Sequence, residues 1–141
     1  MYRKIFLDAN ILVDSTDAQR SGHLFSLEAI RFCLKNKISL YTSCDIVTTV
    51  YYLSAKVDKK RALNEISKIN QFCNIIDFTN KEIELTCTLM ENNEMFKDLE
   101  DTIQYVLAKK VGCDLIVSND KNFVSEDIVL MSAQAFCESV Q

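Results

Sequence analysis

Of three aspartates, Asp8 and Asp120 follow short apolar runs and Asp101 opens a segment with helical spacing. Asp8 lies in IFLDANILVDS (5–15), followed two positions on by the amide of Asn10. Asp101 lies in DLEDTIQY (98–105), which crowds the carboxylates of Asp98, Glu100 and Asp101 into four residues. Asp120 closes IVSND (116–120), behind Ser118 and Asn119. Carboxylates gathered without cations repel, and each raises the pKa of the others. A hard divalent ion removes that conflict, and an all-oxygen donor set suits Mg2+ or Mn2+ rather than zinc. Ions held this way can activate water and stabilise an in-line displacement at phosphorus. Asn10, Ser118 and Asn119 are then available to orient carboxylates or waters from behind. Plainer readings stand beside this one. Asp8 alone fits a helix N-cap, and acids at 98–101 fit the first turn of any helix, where they complement its dipole.

What positions these acids is a strand–helix alternation. IFLD (5–8), ISLY (38–41), NIIDF (74–78), DLIVSND (114–120) and DIVLM (127–131) predict five short strands, apolar and rich in β-branched or aromatic residues. Between them, helical spacing runs through Leu24, Leu27, Ile30 and Leu34, then Ile46, Val50 and Leu53, then Leu63, Ile66, Ile69 and Phe72. Ile83, Cys87 and Met90, and later Ile103, Val106 and Leu107, continue the pattern. Nearly continuous apolar strands separated by helices predict a three-layer α/β/α sandwich with a mainly parallel central sheet. One domain over residues 1–141 is expected. In such folds, ligands bind just past the carboxyl ends of the strands. That rule selects Asp8 and Asn10 after the first strand, Thr42, Ser43 and Asp45 after the second, and Ser118, Asn119 and Asp120 after the fourth.

Composition narrows the function classes. Hydrophobic content of 48% and charged content of 26% are those of an ordinary globular domain. No apolar run approaches the roughly 20 residues that cross a bilayer, and no signal-peptide pattern opens the chain, so the cytoplasm is the expected location. A net charge of −4 excludes nucleic-acid binding by counterion release alone, though not contact with a phosphate backbone through metal ions. The basic stretches at 56–61 and at Lys109–Lys110 read as solvated helix faces or ends, with phosphate contact as the other option. Six cysteines without a CxxC pair read as buried, reduced thiols. His23, the sole histidine, reads as a surface residue.

At these residues the sequence resembles the PIN domain family, the fold of many metal-dependent ribonucleases, including VapC-type toxins of type II toxin–antitoxin pairs. IFLDANILVDS is similar to that family's opening strand with its first metal-binding Asp. DLEDTIQYVLAKKVGCDLIVSNDKNF (98–123) is similar to its late acidic helix, next strand and polar turn. The resemblance implies that Asp8, Asp101 and Asp120 are catalytic and bind metal, with Asp98 a companion ligand and Ser118 in the family's Ser/Thr place. It implies Mg2+ or Mn2+ as cofactor, RNA as substrate, a small antitoxin as partner and a homodimer. Phe25, Phe32, Tyr51 and Tyr52 are candidates for the dimer surface, or else core.

One position departs. SLYTSCDIVTTVYYLSAK (39–56) resembles the middle segment of a bacterial branch with a Tyr-Tyr helix, here Tyr51 and Tyr52. Where many members carry a further acid on that helix, this chain has Thr49. Asp45, one helical turn earlier, is able to face the same crevice or to act as the helix N-cap. Two other functions follow from the residues. Without that acid, a PIN-like domain can serve as a binding module with no cleavage. FLDANILVDS also resembles loosely the opening of haloacid-dehalogenase-type phosphatases, but Asn10 stands where their acid–base aspartate belongs and cannot transfer a proton.

Overall fold

The computed structural model describes residues 1–141. Five strands, β1 (Lys4–Leu7), β2 (Ser39–Ser43), β3 (Cys73–Ile76), β4 (Leu115–Val117) and β5 (Val129–Met131), form one sheet in the order β3-β2-β1-β4-β5. Every pairing is parallel. All five expected strands are therefore present, and the sheet is wholly rather than mainly parallel. Its centre is the most apolar part of the chain. Ile5, Phe6 and Leu7 of β1, and Leu115, Ile116 and Val117 of β4, are all buried in the main core.

Seven helices cover the sheet: α1 (Ala9–Thr16), α2 (His23–Lys35), α3 (Cys44–Ala55), α4 (Lys59–Phe72), α5 (Asn80–Asn92), α6 (Leu99–Lys110) and α7 (Ala133–Ser139). Helices α1 to α4 and α7 pack in one contiguous layer, and α5 packs on α6. Right-handed crossovers place these two groups on opposite faces of the sheet. The direction of winding reverses between β1 and β4, so the crevice of a doubly wound sheet opens there.

Two helices were not apparent from apolar spacing. Helix α1 starts directly after β1, capped by Asp8, and ends where Ser15 and Thr16 donate back to the carbonyls of Leu12 and Val13. Helix α7 has seven residues, too few for a period to show, and is capped by Ser132. The cysteines divide. Cys33, Cys73, Cys113 and Cys137 are buried as expected, but Cys44 and Cys87 are exposed on helix surfaces. Phe32 packs edge-on against Phe136, whereas Tyr52 is exposed.

The turn after β4 is held by Asn119. Its backbone N–H donates to Asn10 Oδ1 at 3.0 Å. Its side-chain NH2 donates to Asp14 at 2.9 Å and to the Ser26 hydroxyl at 3.2 Å, and its Oδ1 accepts from the Ala133 N–H at 3.0 Å. One amide thus joins β4 to α1, α2 and α7. Asp14, buried beneath it, also pairs with Arg20 at 2.5 Å. Gly22 lies against this carboxylate so closely that a Cβ there would stand 2.2 Å from Asp14 Oδ2. Only glycine allows that approach. Replacing Asn119 with alanine removes three side-chain hydrogen bonds around a buried carboxylate. Unfolding in urea is expected to show a loss of roughly 2–4 kcal/mol.

Candidate active site

Strand β1 ends at Leu7, and its direction delivers Asp8 to the carboxyl edge of the sheet beside the end of β4. The Asp8 N–H donates to the Val117 carbonyl, and the Ser118 hydroxyl donates to Asp8 Oδ2 at 2.7 Å. The other oxygen, Oδ1, accepts from the Ala9 N–H at 2.8 Å. Asp8 is therefore a helix cap and a crevice acid at once; the two readings were not exclusive. The Ser118 oxygen also accepts from the Asp120 N–H at 3.1 Å, which fixes the polar turn next to Asp8. Asp120 Oδ1 accepts from the Asn122 N–H at 2.9 Å, a local side-chain turn.

Helix α6 supplies the second wall. Asp98 is its N-cap, exposed, with Oδ2 accepting from the Asp101 N–H at 2.9 Å. Asp101 follows in the first turn, with Glu100 beside it. The third contribution comes from α3. Ser43, not Asp45, is the N-cap of that helix, accepting from the Ile46 N–H. Asp45 lies in the first turn, with one oxygen held by the Ser43 hydroxyl and the other by the Gln104 amide of α6 at 2.7 Å. Thr49 does not meet an acid; its hydroxyl donates to the Asp45 carbonyl within its own helix.

Electrostatics tie these groups into one cluster. Burial pushes the Asp8 carboxyl above its usual range, aided by the charges of Asp120 and Asp45 and opposed by the Ser118 and Ala9 hydrogen bonds. Asp101 is raised to about 7, first by burial and then by Asp8, Asp98, Asp120 and Glu100. Glu100 is raised by burial and by Asp45, Asp98 and Asp8. None of these six acids pairs with a Lys, Arg or His; the ion pairs of the protein involve Asp14, Glu65, Asp77, Glu82 and Asp127 instead. The donor set is all oxygen and uncompensated, which fits a hard divalent cation. No three acidic, His or Cys side chains close into a ready ligand cage.

A cavity of about 690 Å³ adjoins this cluster. Asp98, Asp101 and Thr102 line one side, and Lys97, Lys121 and Asn122 bring positive and polar groups to its rim. The basic residues singled out in the sequence lie elsewhere. Lys109 pairs with Asp127, Lys110 with Glu82, and Arg61 donates to the Thr16 carbonyl. His23 bonds the Asp14 carbonyl. Asn10 and Asn119, expected behind the acids, bond each other and the α1–α2–α7 side of the turn rather than a crevice carboxylate. Glu100 and Gln104 were missed as site residues. Gln104 sits three residues after Asp101 on a helix, a spacing that puts both on one face and was the available signal. Asp14, also missed, is four residues from Asn10, a signal legible only once α1 is recognised.

The raised carboxyl has a thermodynamic consequence. A carboxyl whose folded pKa exceeds its ordinary value stabilises the fold at low pH and loses that contribution as pH rises. For Asp101 the loss builds between 3.8 and about 7. Without divalent ions, the wild-type protein is expected to lose roughly 1–2 kcal/mol more than Asp101→Asn across that range, a figure reduced for solvent screening. Chemical denaturation at pH 4.5 and at pH 8 measures it.

Comparison with known proteins gives the same region a lineage. Residues 5–127 match the PIN domain. The chain is 51% identical over 135 residues to Ribonuclease VapC1 of Aquifex aeolicus, spanning 96% of this chain and 94% of that protein. In fold it is similar to VapC20 of Mycobacterium tuberculosis, a sarcin–ricin loop cleaving toxin, with a TM-score of 0.67, 16% identity, and coverage of 84% and 92% of the two chains. It is also similar to DNA-bound VapBC of Salmonella typhimurium, with a TM-score of 0.70, 15% identity, and coverage of 93% and 98%. The family match spans every element that brings an acid to the crevice, and the Aquifex relative extends it over nearly the whole length: the chain belongs to the PIN domain family.

Proposed function

We propose that this protein is a metal-dependent endoribonuclease, a single PIN-like domain over residues 1–141 that hydrolyses RNA in the cytoplasm. The observation that carries this reading is the set of six carboxylates, without a protein cation, from the ends of β1 and β4 and the starts of α3 and α6. Kinship with Ribonuclease VapC1 supports RNA as the substrate. Asp8, Asp101 and Asp120 would hold Mg2+ or Mn2+, with Asp98 assisting through the oxygen not engaged by the Asp101 N–H. The ion, when bound, supplies an activated water and neutralises charge building on the phosphate. Ser118 keeps the Asp8 carboxylate in one orientation and ties Asp120 to the same turn. No side-chain nucleophile is required, and Asn10, committed through Oδ1 to the Asn119 N–H, leaves no acid–base group in the place a phosphatase of the dehalogenase type would need.

The cavity beside the acids accommodates a single RNA strand, with Lys97 and Lys121 at phosphates flanking the cut. Regulation belongs to the same reading. The solved relatives include toxin–antitoxin complexes, which supports a small antitoxin that covers the crevice, and a homodimer of the kind common among small proteins.

Asp8→Asn and Asp101→Asn are expected each to lower Mn2+ affinity and RNA cleavage beyond the roughly 10–100-fold typical of supporting residues. Calorimetric Mn2+ titration and a single-turnover cleavage assay measure the two effects, and unchanged values in both variants would refute the metallonuclease reading. In binding assays at several salt concentrations with Mg2+ replaced by Ca2+, Lys97→Ala with Lys121→Ala should weaken RNA binding. The slope of log affinity against log salt should fall by roughly 1.4, from two lost single-strand phosphate contacts.

A further inference from the structure

Gln104 is the one residue of the protein with a buried side-chain polar atom that lacks a partner. It lies in the centre of α6, 1% exposed. Its NH2 donates to Asp45 across 59 positions of sequence, while Oε1 is sealed off with no donor. The opposite amide orientation would set oxygen against oxygen at 2.7 Å, so the network fixes this one. A buried acceptor without a donor is costly, and an apolar side chain of equal length would avoid that cost. What Gln104 gives in return is its hold on Asp45. With the Ser43 hydroxyl on the other oxygen, both ends of the Asp45 carboxylate are anchored, one from its own strand–helix junction and one from α6.

Gln104 and Asp101 share a face of α6, so the helix that carries one acid also clamps another. The parallel register of β1 and β2, with Phe6 opposite Tyr41, sets Asp8 beside Ser43, whose hydroxyl holds Asp45, so Asp45 stands at the same strand ends as Asp8. Thr49, one turn on, is turned back to its own helix. We propose that Asp45 is the fourth acid of the metal site, taking the role that Thr49 cannot fill, and that Gln104 is the positioning residue that aims it. This rests on the metal-dependent reading given above.

The test is a double-mutant cycle read by Mn2+ affinity of the whole protein, with cleavage as a second readout. Gln104→Met keeps the length of the side chain and removes the orphaned oxygen, and Asp45→Asn alters a half-buried group while keeping its shape. Both are expected to fold, which circular dichroism checks, and Asp45→Asn carries the test alone if Gln104→Met does not fold. Each should weaken Mn2+ binding by about 10–100-fold. In the Asp45→Asn background, Gln104→Met should cause little further loss, because its effect passes through Asp45. Affinities within twofold of wild type for both variants overturn the proposal, and additive losses overturn the role assigned to Gln104. If Asp101→Asn abolishes Mn2+ binding while these variants leave it intact, only this proposal falls. If wild type binds no Mn2+, the nuclease reading falls with it.

Discussion

The seam between β1 and β4 is the constraint on which the rest of the molecule depends. There the sheet reverses its winding, so two parallel strands end side by side with no helix passing over the gap. The ladder continues past the strands through the Asp8 N–H on the Val117 carbonyl, and the Ser118 hydroxyl then closes on Asp8. These bonds place an acid at the one edge of the sheet that is open to a ligand. Everything that follows on the far side, from the Asp120 turn to the start of α7, takes its position from that seam through Ser118 and Asn119.

The site and the architecture divide the polar residues between them. On one side of the turn, Asn119, Asp14, Arg20 and Ser26 satisfy one another and lock three helices to the sheet. On the other, six carboxylates face one another with hydroxyls, amides and backbone N–H groups for company but no cation. The first group has its charge balanced within the fold. The second stores repulsion, visible in Asp101, and relieves it only when something positive arrives. Adjacent residues, Ser118 and Asn119, serve opposite sides of this division.

Much of this was legible in the chain because parallel strands buried on both faces read as unbroken apolar runs. An acid at the end of such a run has few structural reasons to be there, so Asp8 and Asp120 stood out. Asp101 did so through its crowded neighbours. Helix α1 was not legible, since ANILV continues the apolar run of β1 and its first turn has no separate signature. The contacts of Asn119, Gln104 and Asp45 were hidden for another reason. The side-chain amides of Asn119 and Gln104 find partners 14 to 105 positions away, and nothing local distinguishes an amide that reaches across the fold from one that faces water. The position of Thr49 suggested a missing acid; the structure moves that question one turn back along the same helix.

The six acids run from position 8 to position 120, brought by the end of β1, the first turn of α3, the start of α6 and the turn after β4. No contiguous fragment that omits either outer position contains the cluster. During synthesis on a ribosome, the crevice therefore assembles only after the turn at Asp120 has emerged, and Asn119 waits longer still for Ala133. A growing chain therefore holds these carboxylates apart until the late strand β4 reaches its place beside β1.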